Sequence, residues 1–556
     1  MLQLLQDPVA AALAGPHVTS LEVHSTSVGH VPPAVAMLTR LTTLDLSGCA
    51  VTYLPFSLTA LTALTSLSVS RNHDLHHLPP EIGDLSTLST LDVSHTGIAC
   101  VPVSICRLAA LQKCNLMGNG LEHLPSDFGK LCNLMGNGLE HLPSDFGELS
   151  SLRLLGLKSN RLTALPPSFG QLTSLVELFI TDNKLKSFPE GFGSLVSLVK
   201  LQASFNSFES IPEELGRLPK LEMMRVAVCN ISALPASITS PWAAAAAGSV
   251  RVQQRPWRSL AWFSLGGNPA QAAPPAPHMG LLREAHASDL ALGRKLGDGA
   301  SGEVLECTLH GQRVAAKFFR SDISPDGRTL EEVEVACGVE HPHLPRVVAT
   351  IKATAAAAEV ADGGHAPPVA ALVMDVVEGQ PLAAKPTSAH LLRCRWEAGT
   401  ALSGRFAAKV ATGAASALAY MHSVCICHGD VYAHNLLVDC HGHATLVDFG
   451  ASFAYEQAQR PFWQAMEVRA MGLLLGELSA AVVPLHAAAH CLPEEQASQV
   501  GAAAAAGAAA AAGGGGHDIE GGAEKALLAS LSQRCLVDAP LKRPSFGELL
   551  ATLMAS

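Results

Sequence analysis

The first half of the chain repeats one hydrophobic pattern at intervals of 23 residues. The pattern is L-x-x-L-x-x-L-x-L-x-x-N, with one interval of 24 residues and one longer interval, and its units begin at Leu38, Leu61, Leu85, Leu108, Leu149, Leu172, Leu195 and Leu218. A more degenerate unit begins near Gly15. The L-x-L segment predicts a short strand whose two leucines point to the same face. One unit cannot bury these leucines alone, so we expect the units to stack into a solenoid with a shared core.

A small or polar residue follows each predicted strand at a constant position. The residues at this position are Thr26, Cys49, Asn72, Thr96, Asn119, Asn137, Asn160, Asn183, Asn206 and Cys229, and Asn268 closes the series. Their side chains can form hydrogen bonds with the backbone inside the turn, which predicts a ladder along the stack. A second phrase, for example LTALPPSFG, follows in each unit and is predicted to cover the outer side.

These repeats resemble leucine-rich repeats, and the LP phrase is similar to that of the plant or algal intracellular type. The resemblance covers about residues 15–270 and implies an α/β solenoid that binds a protein on the exposed positions of its strands. Phe179, Phe205 and Arg225 are the candidate contacts, because aromatic residues and arginine are enriched in interface cores. The alternative is a solvated face without a partner.

One stretch of 18 residues occurs twice in succession, at 114–131 and 132–149, and the copies differ only at Lys130 and Glu148. The second copy lacks the five residues that return the chain to the next strand, which span about 17 Å when extended. We interpret it as a recent tandem duplication or an error of sequence assembly. It predicts an irregular junction near 128–134 and a ladder residue at Asn137.

Composition limits the classes of function. The net charge of −11 argues against binding to nucleic acid or to a membrane surface. The N-terminus has no basic region before its apolar residues, and no run of 18 apolar residues occurs. The 14 cysteines show no zinc-binding spacing, so we expect reduced thiols and a cytoplasmic protein.

The remaining pattern predicts the organisation of the chain. The predicted segments are an N-terminal segment 1–14, repeats 15–240, an alanine-rich insertion 241–257, a repeat cap 258–270, a linker 271–287 and a domain 288–553 with insertions at 353–370 and 481–523.

Four motifs in the last segment occur in a fixed order. LGDGASGEV carries three glycines, RVAAKFF carries Lys317, HGDVYAHNLL carries Asp430 and LVDFG carries Asp448. The glycine pattern alone also occurs in dinucleotide-binding folds, but a strand rather than a helix is predicted around Lys317. Together the motifs resemble a protein kinase domain, closest in style to the tyrosine-kinase-like serine/threonine kinases.

The resemblance implies a bilobal α+β fold that uses ATP and Mg²⁺. Its catalytic residues would be Asp430 as acceptor of the substrate proton, Lys317 on the phosphates, Glu332 as partner of Lys317, and His434. Its metal ligands would be Asn435 and Asp448. Its nucleotide pocket would comprise Leu296, Gly297, Gly299, Gly302, Val304, Ala315, Lys317, Met374, Asp375, Val377 and Leu437.

The catalytic loop departs from the family pattern at three positions. Gly429 replaces the arginine that docks a phosphorylated activation loop, so regulation by loop phosphorylation is not expected. Tyr432 replaces the lysine that serine/threonine kinases place near the γ-phosphate. His434 lies where tyrosine kinases often have arginine, and it is either a weak, pH-dependent cation or a simple hydrogen-bonding residue.

The segment after Gly450 is short and has no A-P-E motif. Glu467 aligns with the family's aspartate on the following helix, and Arg543 aligns with the arginine that pairs with the missing glutamate. We therefore expect intact phosphate binding and an altered peptide-docking platform.

These observations favour an intracellular leucine-rich-repeat kinase that phosphorylates serine or threonine rather than tyrosine, with the repeats recruiting a protein partner or substrate. The alternative is an ATP-binding pseudokinase scaffold in which the repeats are the functional module. A small-GTPase effector acting through the repeats is a third hypothesis, based on the resemblance alone.

Overall fold

The computed structural model describes residues 8–15, 17–24, 26–111, 113–125, 132–150, 152–239, 257–273, 283–299, 301–324, 327–352, 369–386, 392–398, 400–482, 520–537 and 542–555. Most of the predicted alanine-rich insertion, most of the linker and most of both kinase-region insertions lie outside these residues. The chain forms two compact units, Met1–Met223 with Cys229–Ile231, and Met224–Val228 with Ser232–Ser556.

The first unit contains short parallel strands that pair in chain order. They are β1 Ser20–Glu22, β2 Thr43–Asp45, β3 Ser66–Ser68, β4 Thr90–Asp92, β5 Lys113–Asn115, β6 Cys132–Asn133, β7 Leu154–Gly156, β8 Glu177–Phe179 and β9 Lys200–Gln202. The register brings equivalent residues together, so that Leu44 lies beside Leu67 and Leu67 beside Leu91. The buried leucines therefore form continuous rows, as the repeat pattern predicts.

Short 3-10 helices return the chain on the other side of each unit. They are Pro33–Met37, Phe56–Ala60, Ile82–Asp84, Val103–Arg107, Phe146–Glu148, Pro167–Gln171, Phe192–Ser194 and Glu213–Arg217. Several begin directly after the proline of the LP phrase, for example after Pro55 and Pro212. Proline fixes its own backbone angle and suits this position. Helix α1, Pro8–Ala14, precedes the first strand.

The predicted ladder is present. Asn183 Nδ2 donates to the carbonyl oxygens of Leu157 at 3.0 Å and of Ile180 at 3.1 Å, while its Oδ1 accepts from the amide of Leu162 at 3.0 Å. Asn160 and Asn206 make the equivalent bonds one repeat away. Each amide thus joins successive turns and satisfies backbone groups that the core would otherwise bury without partners.

The duplicated stretch still contributes a strand. β6 has two residues and pairs with β5 and β7, and Asn137 Nδ2 donates to the carbonyl oxygens of Leu116 and Leu134 at 3.0 and 2.9 Å. Residues 126–131 are outside the described part, so most of the irregular junction predicted near 128–134 is not visible. The shorter copy keeps the strand and the ladder residue, as expected.

The second unit begins within β10, Met223–Arg225, and continues with helix α2, Ala236–Thr239, and strand β11, Trp262–Ser264. The amide of Val226 donates to the carbonyl of Ser264 at 3.0 Å, and Asn268 Nδ2 donates to the carbonyl of Val226 at 2.8 Å. Residues 262–268 therefore make the strand and ladder contacts of a last repeat.

A six-stranded sheet follows in the second unit. Its strands are β12 Arg283–Ala285, β13 Leu290–Asp298, β14 Gly302–Leu309, β15 Gln312–Phe319, β18 Val347–Lys352 and β19 Val369–Asp375. They pair in the order β12-β18-β19-β15-β14-β13. The small hairpin of β16 Ile323–Ser324 and β17 Gly327–Arg328 and helix α3 Thr329–Gly338 lie between β15 and β18 in the chain. A buried cluster that includes Val314, Ala349 and Val373 forms the core of this sheet.

The rest of the second unit is mainly helical. Its elements are β20 Gln380–Pro381, α4 Gly404–Ser423, β21 Ile426–Cys427, β22 Leu436–Val438, β23 Ala444–Leu446, β24 Phe453–Ala454, α5 Arg460–Ala481, α6 Glu520–Cys535 and α7 Phe546–Met554. Ser403 caps α4 by accepting from the amide of Phe406, and Ser545 and Glu548 form a capping box at α7. Among the described residues, no helix is long and apolar enough to cross a membrane.

Candidate functional site

A lysine and two carboxylates meet between the six-stranded sheet and the helical part. Lys317 on β15 forms an ion pair with Glu332 on α3, and its Nζ lies 3.3 Å from Oδ1 of Asp448. Lys317 and Glu332 are buried, whereas the side chain of Asp448 is 42 % exposed. The three predicted residues are therefore brought together, with only the aspartate open to solvent.

The charges at this point stabilise one another. Burial alone would lower the pKa of Lys317, but Glu332 and Asp448 outweigh it and raise this pKa above its ordinary value. Lys317 in turn holds the pKa of Asp448 well below its usual range. Because an opposite charge nearby favours the charged form, the lysine is a cation and Asp448 is a carboxylate at neutral pH.

The three glycines of LGDGASGEV lie where β13 and β14 meet: Gly297 near the end of β13, Gly299 after this strand and Gly302 at the start of β14. The amide of Gly299 donates to the carbonyl of Gly302 at 2.9 Å, and Gly297 pairs with Val304. A Cβ on Gly302 would lie 2.0 Å from the carbonyl oxygen of Phe318, so only glycine fits there. Gly297 has open space around it, and its lack of a side chain leaves the backbone accessible.

The other residues of the predicted nucleotide pocket lie on β13, β15, β19 and β22 or directly after β19. Ala315 pairs with Met374 across β15 and β19, and Asp375 lies at the end of β19. Val377 follows two residues after this strand. Leu437 lies on β22, and Leu296 on β13 is 41 % exposed.

The catalytic-loop residues Asp430 and Asn435 are hydrogen-bonded to each other. Asn435 Nδ2 donates to the carbonyl oxygen of Asp430 at 2.9 Å and to its Oδ2 at 3.0 Å. These bonds hold the Asp430 carboxylate in one orientation. Asn435 itself is buried in a short 3-10 turn before β22.

Glu467 supports the same loop from helix α5. Its Oε1 accepts from the amide of Gly429 at 2.6 Å, and its Oε2 lies 2.9 Å from Nε2 of His422. The carboxylate is fully buried, and the hydrogen bond from Gly429 offsets part of the cost of removing it from water. Glu467 lies on the helix that follows the short segment after Gly450.

His434 is half-buried, and its Nδ1 lies 3.3 Å from the Sγ of Cys394. Burial lowers its pKa, although the charge of Asp430 opposes this effect. The imidazole is therefore mainly neutral at pH 7, which favours the hydrogen-bonding interpretation over a positive charge. It stacks on Tyr432, with ring centroids 5.2 Å apart.

Two residues that sequence reasoning did not place here contact the catalytic loop. Arg225 Nη2 lies 3.0 Å from Oδ1 of Asp430. The indole of Trp262 stacks on Tyr432 with ring centroids 4.4 Å apart and an interplanar angle of 3°. Arg225 was predicted to be exposed for a partner, and in the structure that prediction is wrong because its side chain is only 14 % exposed and is paired with Asp430.

Arg543 has three backbone partners in place of the missing glutamate. Its Nη1 donates to the carbonyl of Ala465 at 2.7 Å, its Nη2 to that of Arg258 at 2.6 Å, and its Nε to that of Val537 at 3.0 Å. Three carbonyl groups thus accept hydrogen bonds from the buried guanidinium.

Comparison with known proteins agrees with both parts of the chain. The family model described as "Protein kinase domain" matches residues 290–471, and one described as "Leucine-rich repeat region" matches residues 130–240. The chain contains a protein kinase domain and a leucine-rich-repeat region. The kinase match includes Lys317, Asp430 and Asp448.

Curated relatives share the kinase description. A probable serine/threonine-protein kinase of Dictyostelium discoideum is 24% identical over 280 residues, which is 48% of this chain and 28% of the relative. The probable serine/threonine-protein kinase PknB of Bifidobacterium longum is 26% identical over 184 residues, which is 32% of this chain and 24% of the relative. The chain spans about a quarter of the length of these relatives.

A solved structure of a leucine-rich-repeat protein from Leptospira interrogans is also similar. It has 23% sequence identity and a TM-score of 0.39, and the alignment covers 48% of this chain and 75% of that chain.

Proposed function

We propose that this protein transfers the γ-phosphate of ATP to serine or threonine hydroxyls of proteins, and that its repeats hold a partner or substrate. The contact of Lys317 with both Glu332 and Asp448 supports this proposal most directly. It places a cation beside an exposed carboxylate, the combination that kinases use to hold phosphates and their metal. The names of the curated relatives favour serine or threonine over tyrosine.

Asp448 and Asn435 suit Mg²⁺ as ligands. Both offer oxygen atoms, which Mg²⁺ prefers, and Mg²⁺ typically combines one or two protein oxygens with substrate phosphates and waters. Oδ1 of Asp448 accepts from Lys317 and from the amide of Gly450, and its Oδ2 accepts no hydrogen bond from the described residues. The ion would neutralise charge on the phosphates and hold them in position.

Asp430 is the proposed acceptor of the substrate proton. In the reaction, the hydroxyl oxygen of the substrate forms a bond to the γ-phosphorus, and the bond from that phosphorus to the oxygen bridging to the β-phosphate breaks. ADP leaves, and the hydroxyl proton passes to Asp430. The bond from Asn435 fixes the carboxylate for this role.

The repeats offer Phe179 and Phe205 as a proposed partner surface. Both side chains are half-buried, and Lys200 Nζ lies 5.1 Å from the ring centroid of Phe179. Partly exposed aromatic rings suit a protein partner that offers apolar groups. Because Arg225 is engaged by Asp430, the proposed surface does not include it.

A pseudokinase scaffold is the second candidate. The observation that favours it is the catalytic loop, where Tyr432 replaces the usual lysine and the mainly neutral His434 supplies little positive charge. In that case the protein binds nucleotide without transferring phosphate.

Radioactive phosphate transfer separates the two candidates. The full-length protein and Asp430→Asn are compared with labelled ATP and Mg²⁺, on the protein itself and on casein. Transfer by the wild type above the level of Asp430→Asn supports the kinase. Equal background in both, together with a thermal shift on Mg·ATP that Lys317→Ala loses, supports the scaffold instead.

A further inference from the structure

The catalytic loop is covered by other residues of the same unit. We call this set the loop cover and define it as Arg225 with residues 258–264. The loop cover contacts Asp430, the residue that the hydroxyl of a protein acceptor has to reach.

Both carboxylate oxygens of Asp430 are engaged. Oδ1 pairs with Arg225 at 3.0 Å and Oδ2 accepts from Asn435 at 3.0 Å. The side chains of Arg225 and Asp430 are only 14 % and 13 % exposed. A general base must come within hydrogen-bond reach of the proton that it takes, so a substrate hydroxyl has to compete with Arg225 for Oδ1 of Asp430.

Trp262 covers the next part of the loop. Its Nε1 donates to the carbonyl oxygen of Val431 at 3.0 Å, its ring lies flat on Tyr432, and its side chain is 2 % exposed. Tyr432 is also buried, and its hydroxyl has no hydrogen-bond partner among the described residues. The tyrosine therefore acts as an apolar platform for the indole.

Gly429 also fits the loop cover. Its φ is +79°, and a Cβ there would lie 2.7 Å from the carbonyl oxygen of Phe263 and 2.5 Å from that of Ala451. An arginine at this position would collide with the strand that contains Phe263. Gly429 and Tyr432, two of the departures from the family motif, thus both lie against the loop cover.

Further contacts fix residues 258–263 to the helical part. Arg543 donates to the carbonyl of Arg258 at 2.6 Å, and Arg469 Nε donates to that of Ser259 at 2.9 Å. The ring of Phe263 lies 5.0 Å from that of Trp463 on α5. The cover is therefore held by polar and aromatic contacts on both sides of Trp262.

We propose that the loop cover is an autoinhibitory device: with Arg225 on Asp430 and Trp262 on Tyr432, nucleotide enters but a protein acceptor is excluded. This inference rests on the proposed transfer activity and adds its regulation. Lys317 pairs with Glu332 and Asp448, which are not part of the loop cover, and we expect nucleotide to bind with the cover in place. Release of Arg225 is the step that opens Asp430.

The test uses full-length Arg225→Ala with labelled ATP, Mg²⁺ and casein. We expect transfer to rise about tenfold, because a charge-assisted hydrogen bond no longer competes for Asp430. The thermal shift caused by Mg·ATP should not change. Arg107→Ala is the control, because it removes an arginine–aspartate pair of 3.1 Å with Asp84 in the first unit and should transfer at the wild-type rate.

Hydrogen exchange of the amides of residues 429–436 shows whether the cover has been loosened, and exchange should be faster in Arg225→Ala than in the wild type. Trp262→Ala serves as a second variant if it folds, with the same expectation. Faster exchange without higher transfer, in a wild type that transfers phosphate, overturns the autoinhibition alone. Unchanged exchange in Arg225→Ala also overturns it. Transfer equal to that of Asp430→Asn in every variant overturns the proposed transfer activity together with the inhibition.

Discussion

Buried polar side chains serve two different purposes in the two units. In the repeats, Asn160, Asn183 and Asn206 are neutral and make the same set of bonds to backbone groups. In the kinase domain, Lys317 is a buried cation between Glu332 and Asp448. The first arrangement is complete without any ligand, whereas the second leaves an exposed carboxylate beside the cation.

This difference distinguishes residues that only stabilise the fold from residues that are candidates for catalysis or binding. A neutral amide that satisfies backbone groups stabilises the fold and has no remaining capacity for binding. A buried charge is costly, is retained only with a partner, and is therefore a candidate for function. The comparison predicts that ladder variants change stability only, while variants around Lys317 change nucleotide binding as well.

The largest effect is expected for Lys317→Ala. Removing one partner of a buried ion pair costs about 3–5 kcal/mol, because the buried Glu332 loses its counter-charge. The thermal stabilisation by Mg·ATP should disappear as well. Lys352→Ala is the control, because this lysine pairs with Glu284 at the surface. A full Mg·ATP shift in Lys317→Ala would contradict the assigned phosphate site.

Gly429→Ala should have the next largest effect. A left-handed backbone costs a residue with a Cβ about 1–2 kcal/mol, and the collisions with two carbonyl oxygens add to it. Gly311→Ala isolates the backbone cost, because Gly311 has a φ of +83° and nothing within 4 Å of the added Cβ. Urea unfolding of both variants measures the difference. Equal losses in the two would show that Phe263 and Ala451 do not restrict Gly429.

Asn183→Ala should cost about 1–3 kcal/mol, because it leaves buried backbone groups without partners. Asn183→Cys should cost less, since Cys49 occupies the same repeat position and its Sγ donates to the carbonyl of Val23 at 3.0 Å. Thermal unfolding without Mg·ATP measures the loss of stability, and unfolding with Mg·ATP measures the shift that the nucleotide causes. A smaller Mg·ATP shift in either variant than in the wild type would show that the asparagine ladder also affects nucleotide binding.

The smallest expected effect is a change in how the stability of the protein depends on pH. Burial raises the pKa of Glu331 on α3 to about 7, although Arg328 opposes it. The unfolded chain releases this proton near pH 4.3, so between about pH 4.3 and 7 the folded state holds a proton that the unfolded state has lost. The contribution of Glu331 to the free energy of unfolding is therefore fully present below about pH 4.3 and is lost as the pH rises to about 7.

Glu331→Gln should remove this part of the pH dependence. Its melting temperature relative to the wild type should be higher at pH 8 than at pH 5. Glu397→Gln, which changes an exposed carboxylate, should run parallel to the wild type. Parallel curves for both variants would mean that Glu331 does not retain its proton in the folded kinase domain.

Much of the fold followed from local patterns. The 23-residue period predicted the strands, the ladder and the shared leucine core, because every repeat meets a neighbour with the same sequence pattern. The resemblance to kinases predicted that Lys317 pairs with Glu332, and the structure adds the contact of Lys317 with Asp448. The limits of the domains and the roles of the individual site residues stay predictions.

The contacts of the catalytic loop could not be predicted in this way. Arg225 lies 205 residues before Asp430 in the chain, and no periodicity relates the two. Trp262 looked like part of a repeat cap, and its stacking on Tyr432 depends on where β11 packs. The sequence showed that Gly429 and Tyr432 were unusual, but it contained no signal of what lies against them.

The sequence by itself determined the repeated core and the set of catalytic motifs, since both depend on residues at regular or known spacings. Only the tertiary structure decided that Asp430 pairs with Arg225, that His434 lies half-buried beside Cys394, and that Arg543 donates to three carbonyl groups. These are contacts between distant segments, and their energies depend on burial and geometry that no local pattern encodes.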